Sequence, residues 1–184
     1  HLVTFPKEID IEALSEAIRT LVGKHPQLTA HFGQSEEGIV QTLNPELTIA
    51  IPVKTMSEKE LEQYKNDFVR PFDLATGPLC RFEIVTTEQG VYLLFDVHHL
   101  VFDGGSTDIF FRQLCALLNG SPIEKEAISY PAYVMAEKAA EDSEDYRVAK
   151  DFFKERLSVV ESDTEVRPDL PNPMTGTVSQ AVSN

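Results

Sequence analysis

The sequence is poor in cysteine, in basic residues and in long apolar runs. Its only two cysteines, Cys80 and Cys115, have neither the spacing of a metal site nor the density of a secreted disulfide scaffold, so we expect two reduced core residues. The 16 Lys and Arg are outnumbered by 30 Asp and Glu, and the net charge of −14 disfavours nucleic acid and an anionic membrane surface as partners. No apolar run approaches the ~20 residues that span a bilayer.

The start of the chain and its composition indicate its setting. The chain begins at His1 without an initiator methionine or a signal-peptide pattern, which favours a piece of a longer protein in the reducing cytoplasm. With 184 residues, of which 42% are hydrophobic and 25% charged, the composition is typical of a globular protein. A chain of this length buries roughly 70% of its unfolded surface, which is enough for a sizeable core.

Hydrophobic periodicity in the first half of the chain predicts helices mixed with short strands. Asp10 can cap a helix over residues 11–22, and the capping box Ser57–Glu60 starts a second helix that Pro71 ends. Three short strands are predicted between these helices, over residues 28–32, 38–43 and 47–53.

The second half contains the most apolar segment. Residues 91–97 form a continuous apolar strand, of the kind that lies in the centre of a sheet and is covered on both faces. An alternating strand over residues 80–84 precedes it, and a helix capped by Ser106 follows and ends at Asn119-Gly120. Two more helices are predicted over residues 130–140 and 144–157. Together these elements favour an α+β class, a mixed α/β two-layer sandwich.

The apolar strand leads into the stretch His98-His99-Leu100-Val101-Phe102-Asp103-Gly104-Gly105-Ser106. Histidine can take and return a proton near physiological pH, and a glycine pair lets the backbone turn tightly and approach a ligand. Because adjacent residues of an extended backbone face opposite sides, one of His98 and His99 should face a cavity and the other the structure. Asp103 can orient the imidazole, or it can hold the loop by pairing with a cation.

This stretch has two other interpretations. The histidines can be hydrogen-bonded structural residues beside an ordinary glycine turn. They can also be metal ligands, since imidazole and carboxylate bind metals. However, adjacent histidines serve one ion poorly, and no HxH, HxxxH or cysteine cluster accompanies them. We therefore predict proton-transfer chemistry at one of the two histidines, beside Asp103, and no metal.

The stretch His98–Gly104 reads HHxxxDG and resembles the core motif of the condensation domains of nonribosomal peptide synthetases, within the chloramphenicol acetyltransferase-like superfamily. Three further segments resemble that family, in the family's order. Arg70–Leu79 is similar to its RPFDLxxGPL segment, Ser129–Tyr133 to its YxDY region with Ala132 in place of Asp, and Phe152–Leu157 to its yWkeqL helix. The resemblance covers residues 1 to about 172.

The segment Lys24–Phe32 is similar to the family's RHExLRTxF motif, but it departs from that motif at two positions. Lys24 replaces the first arginine, and Thr29 stands where the second arginine is usual. An arginine commonly pairs with the motif aspartate in this family. The resemblance therefore implies that the partner of Asp103 is here either Lys24 or Arg81.

The resemblance also implies the chemistry of the site. His99 would deprotonate or hold an acceptor amine as it attacks a donor thioester, while His98 and Asp103 shape the loop and a backbone N–H near Gly104 aids the developing oxyanion. The alternatives are an epimerizing, ester-forming or free-standing acyltransferase relative, and a degenerate lobe that only binds carrier proteins. Thr107 stands where epimerization domains often carry a tryptophan, which favours condensation.

Condensation domains have two lobes. The resemblance therefore implies that residues 1–160 are the N-terminal lobe without its opening region, and that residues 161–184, with Pro168, Pro171 and Pro173, are a crossover towards a second lobe. The implied partners are that second lobe, donor and acceptor peptidyl carrier proteins and a neighbouring adenylation domain. No cofactor is expected to bind directly, because the substrates would arrive on the phosphopantetheine of the carriers. Half of a channel should catalyse little alone.

Overall fold

A computed structural model describes residues 1–158 except residues 37, 125 and 126, and these residues form two compact units. The first unit comprises His1–Ala127, and the second begins at Ile128. The elements of the first unit are β1 (Leu2–Phe5), α1 (Ile11–Lys24), a 3-10 turn (Pro26–Thr29), β2 (His31–Ser35), β3 (Gly38–Thr42), β4 (Val53–Thr55), α2 (Glu58–Phe68), β5 (Cys80–Thr86), β6 (Val91–Val97) and α3 (Gly104–Leu118).

A four-stranded sheet forms the centre of the first unit, with the strand order β1-β6-β5-β4. Strand β6 is antiparallel to both of its neighbours, β1 and β5. Strand β4 runs parallel to β5, which requires a crossover, and α2 is that crossover. Strands β2 and β3 pair separately as an antiparallel hairpin. The central position of β6 confirms the prediction for residues 91–97, and the mixed α/β class is confirmed.

Alternating side chains of β5 and β6 build an apolar core on each face of the sheet. On one face, the rings of Phe82 and Phe95 stack with centroids 5.0 Å apart, and Phe110 of α3 stacks on both. Helix α1 packs on this same face. On the opposite face, Leu61 and Phe68 of α2 cover the sheet. We call this second side the α2 face.

The structure differs from the predicted strands in the first half of the chain. The predicted strand over residues 28–32 is instead the 3-10 turn followed by β2, because Pro26 starts the turn and Thr29 closes it through a 3.0 Å hydrogen bond to the Pro26 carbonyl. The predicted strand over 47–53 is also wrong, since only Val53 belongs to a strand. The structure also contains strand β1, which was not predicted. It has only four residues, and their exposure is mixed.

The two cysteines have different surroundings, and one of the two predictions for them is wrong. Cys80 is a buried free thiol, and burial raises its pKa to about 12, which keeps it protonated and inert at neutral pH. Cys115 is also a free thiol but is exposed. Helix α3 buries Phe110 and Leu114. Cys115 follows Leu114 and lies about 100° further round the helix, away from the buried side.

The second unit contains two helices, α4 (Tyr130–Ala140) and α5 (Glu144–Leu157), which match the predicted ranges. Ser129 and Ser143 cap them through side-chain oxygens that accept from backbone amides. The predicted crossover over residues 161–184, and the boundary predicted at residue 160, lie outside the described residues. Across the described part of the chain, no helix has the length and apolar character needed to cross a bilayer.

Candidate functional site

His98 is fixed at the end of β6 by its backbone and by its ring. Its amide donates to the Leu79 carbonyl at 2.9 Å, and its Nδ1 accepts from the Leu100 amide at 3.1 Å. The ring of Phe72 meets the imidazole edge-on, with centroids 6.0 Å apart and planes at 82°. An Nδ1 atom that accepts a hydrogen bond is unprotonated, so the ring hydrogen lies on Nε2. His98 therefore shapes the loop that follows it.

His99 is exposed at the tip of this loop. Its ring forms no hydrogen bond with any residue that the structure describes. The adjacent histidines have different surroundings, with His98 half-buried against Phe72 and His99 exposed in the turn that follows β6. Across the described ranges, no group of three His, Cys, Asp or Glu side chains is arranged to hold a metal ion.

Asp103 is the N-cap of α3, and the prediction that Ser106 is the cap is wrong. The Asp103 Oδ1 accepts from the Ser106 amide at 2.8 Å and from the Ser106 hydroxyl at 2.6 Å. The helix therefore begins at Gly104, and its N-cap lies three residues earlier than predicted. The hydrogen bond from the Ser106 hydroxyl, followed by the one from its amide, lowers the pKa of Asp103 below its usual value. The carboxylate stays ionised at neutral pH.

The loop between the histidines and α3 is anchored in the core. The Phe102 ring lies edge-on to Phe95 with centroids 5.3 Å apart, and it also contacts Phe110. The space around Gly104, the first residue of α3, is open by contrast. A Cβ added there would have no contact within 4 Å. The loop is therefore fixed at Phe102 and open at His99 and Gly104, which leaves room for a ligand to approach the helix N-terminus.

Neither residue suggested as a partner reaches Asp103 in the part of the chain that the structure describes. Arg81 lies opposite Asp96 in the β5–β6 register, and its Nη1 is 3.5 Å from Asp96 Oδ2 on the α2 face. Helix α3, which Asp103 caps, packs on the other face. Lys24 forms no ion pair with any described residue. The polar partner of the Asp103 carboxylate is Ser106.

A cavity of about 100 Å³ opens beside the loop, between α3 and the turn after α1. Its lining residues are His25, Gln27, Leu28, Val101, Phe102, Ser106, Ile109 and Phe110. At its edge, His25 Nε2 lies 2.7 Å from Gln113 Oε1 of α3. Sequence analysis missed this cavity because its walls come from two distant segments that meet only when α1 packs on α3. It also missed the contact between Phe72 and His98, which no periodicity signals.

Replacing Asp103 with alanine is expected to lower the melting temperature more than replacing it with asparagine, because asparagine keeps an acceptor for the Ser106 amide. The folded-state pKa of Asp103 is lowered, so the stability from its charge is present above the unfolded pKa, about 3.9 for Asp, and is lost as pH falls through the folded value. The difference between wild type and the alanine variant should therefore shrink in acid. Thermal melts from pH 7 to pH 2 measure it.

The matched control for this prediction is Asp108→Ala, because Asp108 is an exposed aspartate within the same helix and caps nothing. Its melting temperature should match or exceed that of wild type, since alanine favours the helix interior. Equal losses for the alanine and asparagine variants at Asp103, or a difference that does not change with pH, would contradict the capping role.

Solved structures share this fold. The chain aligns with the epimerization domain from the third module of tyrocidine synthetase B at a TM-score of 0.79 and 18% identity, covering 93% of this chain and 42% of that one. It aligns with the starter condensation domain of the rhizomide synthetase at a TM-score of 0.77 and 14% identity, covering 88% and 42%. The likeness shows that this mixed α/β fold, with the HHxxxDG corner at the end of its central strand, is the class of fold that these synthetase domains share.

Within that class the family is shown by sequence. Residues 1–183 match the family described as Condensation domain, and the chain belongs to this family. Its relatives are nonribosomal peptide synthetases. It is 26% identical over 173 residues to tyrocidine synthase 2 of Brevibacillus parabrevis, and 30% identical over 156 residues to surfactin synthase subunit 2 of Bacillus subtilis. These matches cover 94% and 84% of this chain but only 5% and 4% of those synthetases.

Proposed function

We propose that this chain is the catalytic N-terminal lobe of a condensation domain that forms a peptide bond between two carrier-bound substrates. The donor is an aminoacyl or peptidyl thioester, and the acceptor is an aminoacyl thioester with a free amine. Membership of the family supports amide-bond formation in nonribosomal peptide synthesis in general terms. The assignment of this particular reaction to this chain is the proposal.

The observation that carries the proposal is the open imidazole of His99. It stands at the end of the central strand, makes no hydrogen bond among the described residues, and adjoins the exposed N-terminus of α3. A thioester is already activated, so the protein needs to supply orientation and proton transfer rather than a covalent nucleophile. A single uncommitted imidazole on an anchored loop suits that task.

The reaction balances without any further reactant. The acceptor nitrogen bonds to the thioester carbonyl carbon, the C–S bond breaks, and the donor carrier leaves as a thiol. His99 takes the proton that the amine loses and returns it to the leaving sulfur. The first amides of a helix have no partner within the helix, and the Asp103 side chain accepts from Ser106, two residues after Gly104. We assign the amides at Gly104 and Gly105 to the developing oxyanion.

The partners follow from the same proposal. Both substrates would arrive on the phosphopantetheine arms of donor and acceptor peptidyl carrier proteins, so no cofactor would bind this lobe directly. A second lobe outside this chain would complete the substrate channel, and a neighbouring adenylation domain would load the acceptor carrier. The net charge of −14 and the lack of a basic surface run argue for protein partners over nucleic acid.

The test uses the intact parent protein with both carrier proteins loaded, and follows carrier-bound species by mass spectrometry. The expected product is a dipeptide on the acceptor carrier. The 184-residue chain alone, given the same loaded carriers, should form little of it because half of the channel is missing. Appreciable turnover by the chain alone would contradict the two-lobe assignment, and no dipeptide from the intact protein would contradict the function.

Epimerization is the second candidate, because an epimerization domain shares the fold at a TM-score of 0.79. Thr107, at the position where such domains often carry a tryptophan, argues against it. The same assay separates the two functions when the carrier-bound amino acid is released and resolved on a chiral column. Inversion of its Cα centre without transfer between carriers would establish epimerization.

A further inference from the structure

Arg81 occupies an unusual position for a residue expected to pair with Asp103. Its guanidinium lies on the α2 face with a side chain only 13% exposed, opposite Asp96, whose side chain is 20% exposed. Burial raises the pKa of Asp96, and the positive charge of Arg81 opposes that rise. The 3.5 Å separation is that of an ion pair without a hydrogen bond, and Asp96 Oδ2 has no hydrogen-bond partner among the described residues.

The hydrogen bonds of Arg81 go instead to the segment that joins α2 to β5. Its Nη1 donates to the Phe68 carbonyl and its Nη2 to the Pro71 carbonyl, each at 3.3 Å. One face of the guanidinium lies over the Phe72 ring, 3.8 Å from the ring centroid. A planar cation can make all of these contacts at once, which an ammonium group cannot do. Arg81 therefore clamps the beginning of the RPFDLxxGPL segment onto the sheet.

The clamped segment touches the loop from His98 to Asp103, which contains His99, at two points. The edge of the Phe72 ring meets the His98 imidazole, and the Leu79 carbonyl accepts from the His98 amide. His98 in turn holds the amide of Leu100 through its Nδ1. His99 lies between these two fixed residues. Its backbone is thus positioned by a series of contacts that begins at Arg81.

The far end of the same segment is also fixed. The Leu74 carbonyl accepts from the Phe32 amide at 2.7 Å, and Gly77 packs so closely on the Ala30 carbonyl oxygen that an added Cβ would lie 2.9 Å from it. With its far end fixed in this way, a change at Arg81 acts on the start of the segment, next to Phe72 and His98. It does not release the whole segment.

We propose that Arg81 is a positioning residue for peptide-bond formation, which sets the place of His99 through Phe72 and His98. The proposal rests on the proposed function of His99. It assigns a role to the RPFDLxxGPL segment, to which the proposed reaction gives no part in proton transfer. It also separates Arg81 from Asp103, because the two lie on opposite sides of the sheet.

The test replaces Arg81 with lysine in the intact protein and measures dipeptide formation with both carriers loaded. Lysine keeps the charge opposite Asp96 but loses the stack on Phe72 and the paired carbonyl contacts. We expect kcat to fall on the order of tenfold, because small misplacements of a reacting group are costly, while KM for the loaded carriers stays unchanged. The matched control is Arg19→Lys, which alters an exposed ion pair with Glu12 and Glu16 on α1 and should leave both constants unchanged.

A second variant, Phe72→Leu, tests whether the effect passes through this ring. If Arg81 acts through Phe72, the kcat of the double variant Arg81→Lys/Phe72→Leu should be no lower than that of the slower single variant. Hydrogen exchange at the Leu100 amide should also quicken in Arg81→Lys, since its acceptor is His98 Nδ1.

Three results would overturn the proposal. They are a wild-type kcat in Arg81→Lys, a change in KM alone, and losses that multiply in the double variant. An intact wild-type protein that forms no dipeptide is a separate result, because it removes the proposed function and this role together.

Discussion

Replacing His99 with alanine in the intact protein should lower the rate of dipeptide formation by a factor on the order of 10²–10⁴, the usual contribution of a positioned general base. The Nδ1 of His98 accepts a hydrogen bond from the Leu100 amide, whereas the ring of His99 makes no hydrogen bond with any described residue. Removal of the His99 ring deletes the proposed proton acceptor and keeps the ring contacts of Phe102 and the hydrogen bonds from Ser106 to Asp103. The loss should therefore appear in kcat, with the melting temperature unchanged.

A His99→Gln variant distinguishes the two tasks that His99 could perform. Glutamine can hold an amine by hydrogen bonding but cannot accept its proton at neutral pH. If His99 mainly orients the amine, the glutamine variant should recover part of the rate that alanine loses. If His99 is the base, the two variants should be equally slow. Single-turnover rates followed by mass spectrometry give this comparison.

The control for the His99 variants is His31→Ala, the same substitution at a half-buried histidine of β2. It should retain the wild-type rate. A wild-type rate in His99→Ala would remove this residue from the reaction and would leave a lobe that binds carriers without catalysing. Equal losses at His99 and His31 would indicate a general response to losing a histidine rather than a specific role.

Replacing Phe95 with alanine should lower the free energy of unfolding by about 3–5 kcal/mol, the typical cost of deleting a fully buried aromatic ring. Phe95 has no exposed surface and lies at the centre of the first unit. Its ring stacks on Phe82 and on Phe110, with centroids 5.0 and 5.2 Å away, and it meets Phe102 edge-on. A cavity here would loosen the sheet, α3 and the anchor of the His98–Asp103 loop together.

Urea denaturation followed by far-ultraviolet circular dichroism measures this loss. The matched control is Phe153→Ala, the same substitution at a ring of α5 that is 59% exposed, which should change stability by less than about 0.5 kcal/mol. If Phe95→Ala does not fold, Phe95→Leu keeps most of the volume and should show a smaller loss. Similar stability for Phe95→Ala and wild type would contradict the central role of this ring.

Much of the fold could be predicted from local sequence patterns. The apolar run at 91–97 identified the central strand, and periodicity placed the last two helices correctly over 130–140 and 144–157. Such signals are strong because each depends on neighbouring residues alone. The HHxxxDG motif likewise located the corner, because the motif is contiguous and needs no tertiary information.

The predictions that failed have a common physical cause. In each case several residues or positions suited the same role by local sequence, and only tertiary packing decides between them. Ser106 and Asp103 are both good caps, and the structure uses the carboxylate, with Ser106 as its donor. Cys115 is apolar enough for a core position, but its place on α3 lies beside the buried stripe rather than in it. The partner of Arg81 depended on the β5–β6 register, which is set by the turn at residues 87–90.

The pairing of β1 with β6 has a consequence for how the chain is made. Leu2 pairs with Leu94, so the first strand leaves the ribosome roughly ninety residues before its partner exists. At synthesis rates of about 5–20 residues per second, that interval is roughly 5–20 s, far longer than a short hairpin needs to form. During this time β6, the neighbour of β1 in the described sheet, does not yet exist. The strand that leads into the histidines is therefore also the one that completes the described sheet.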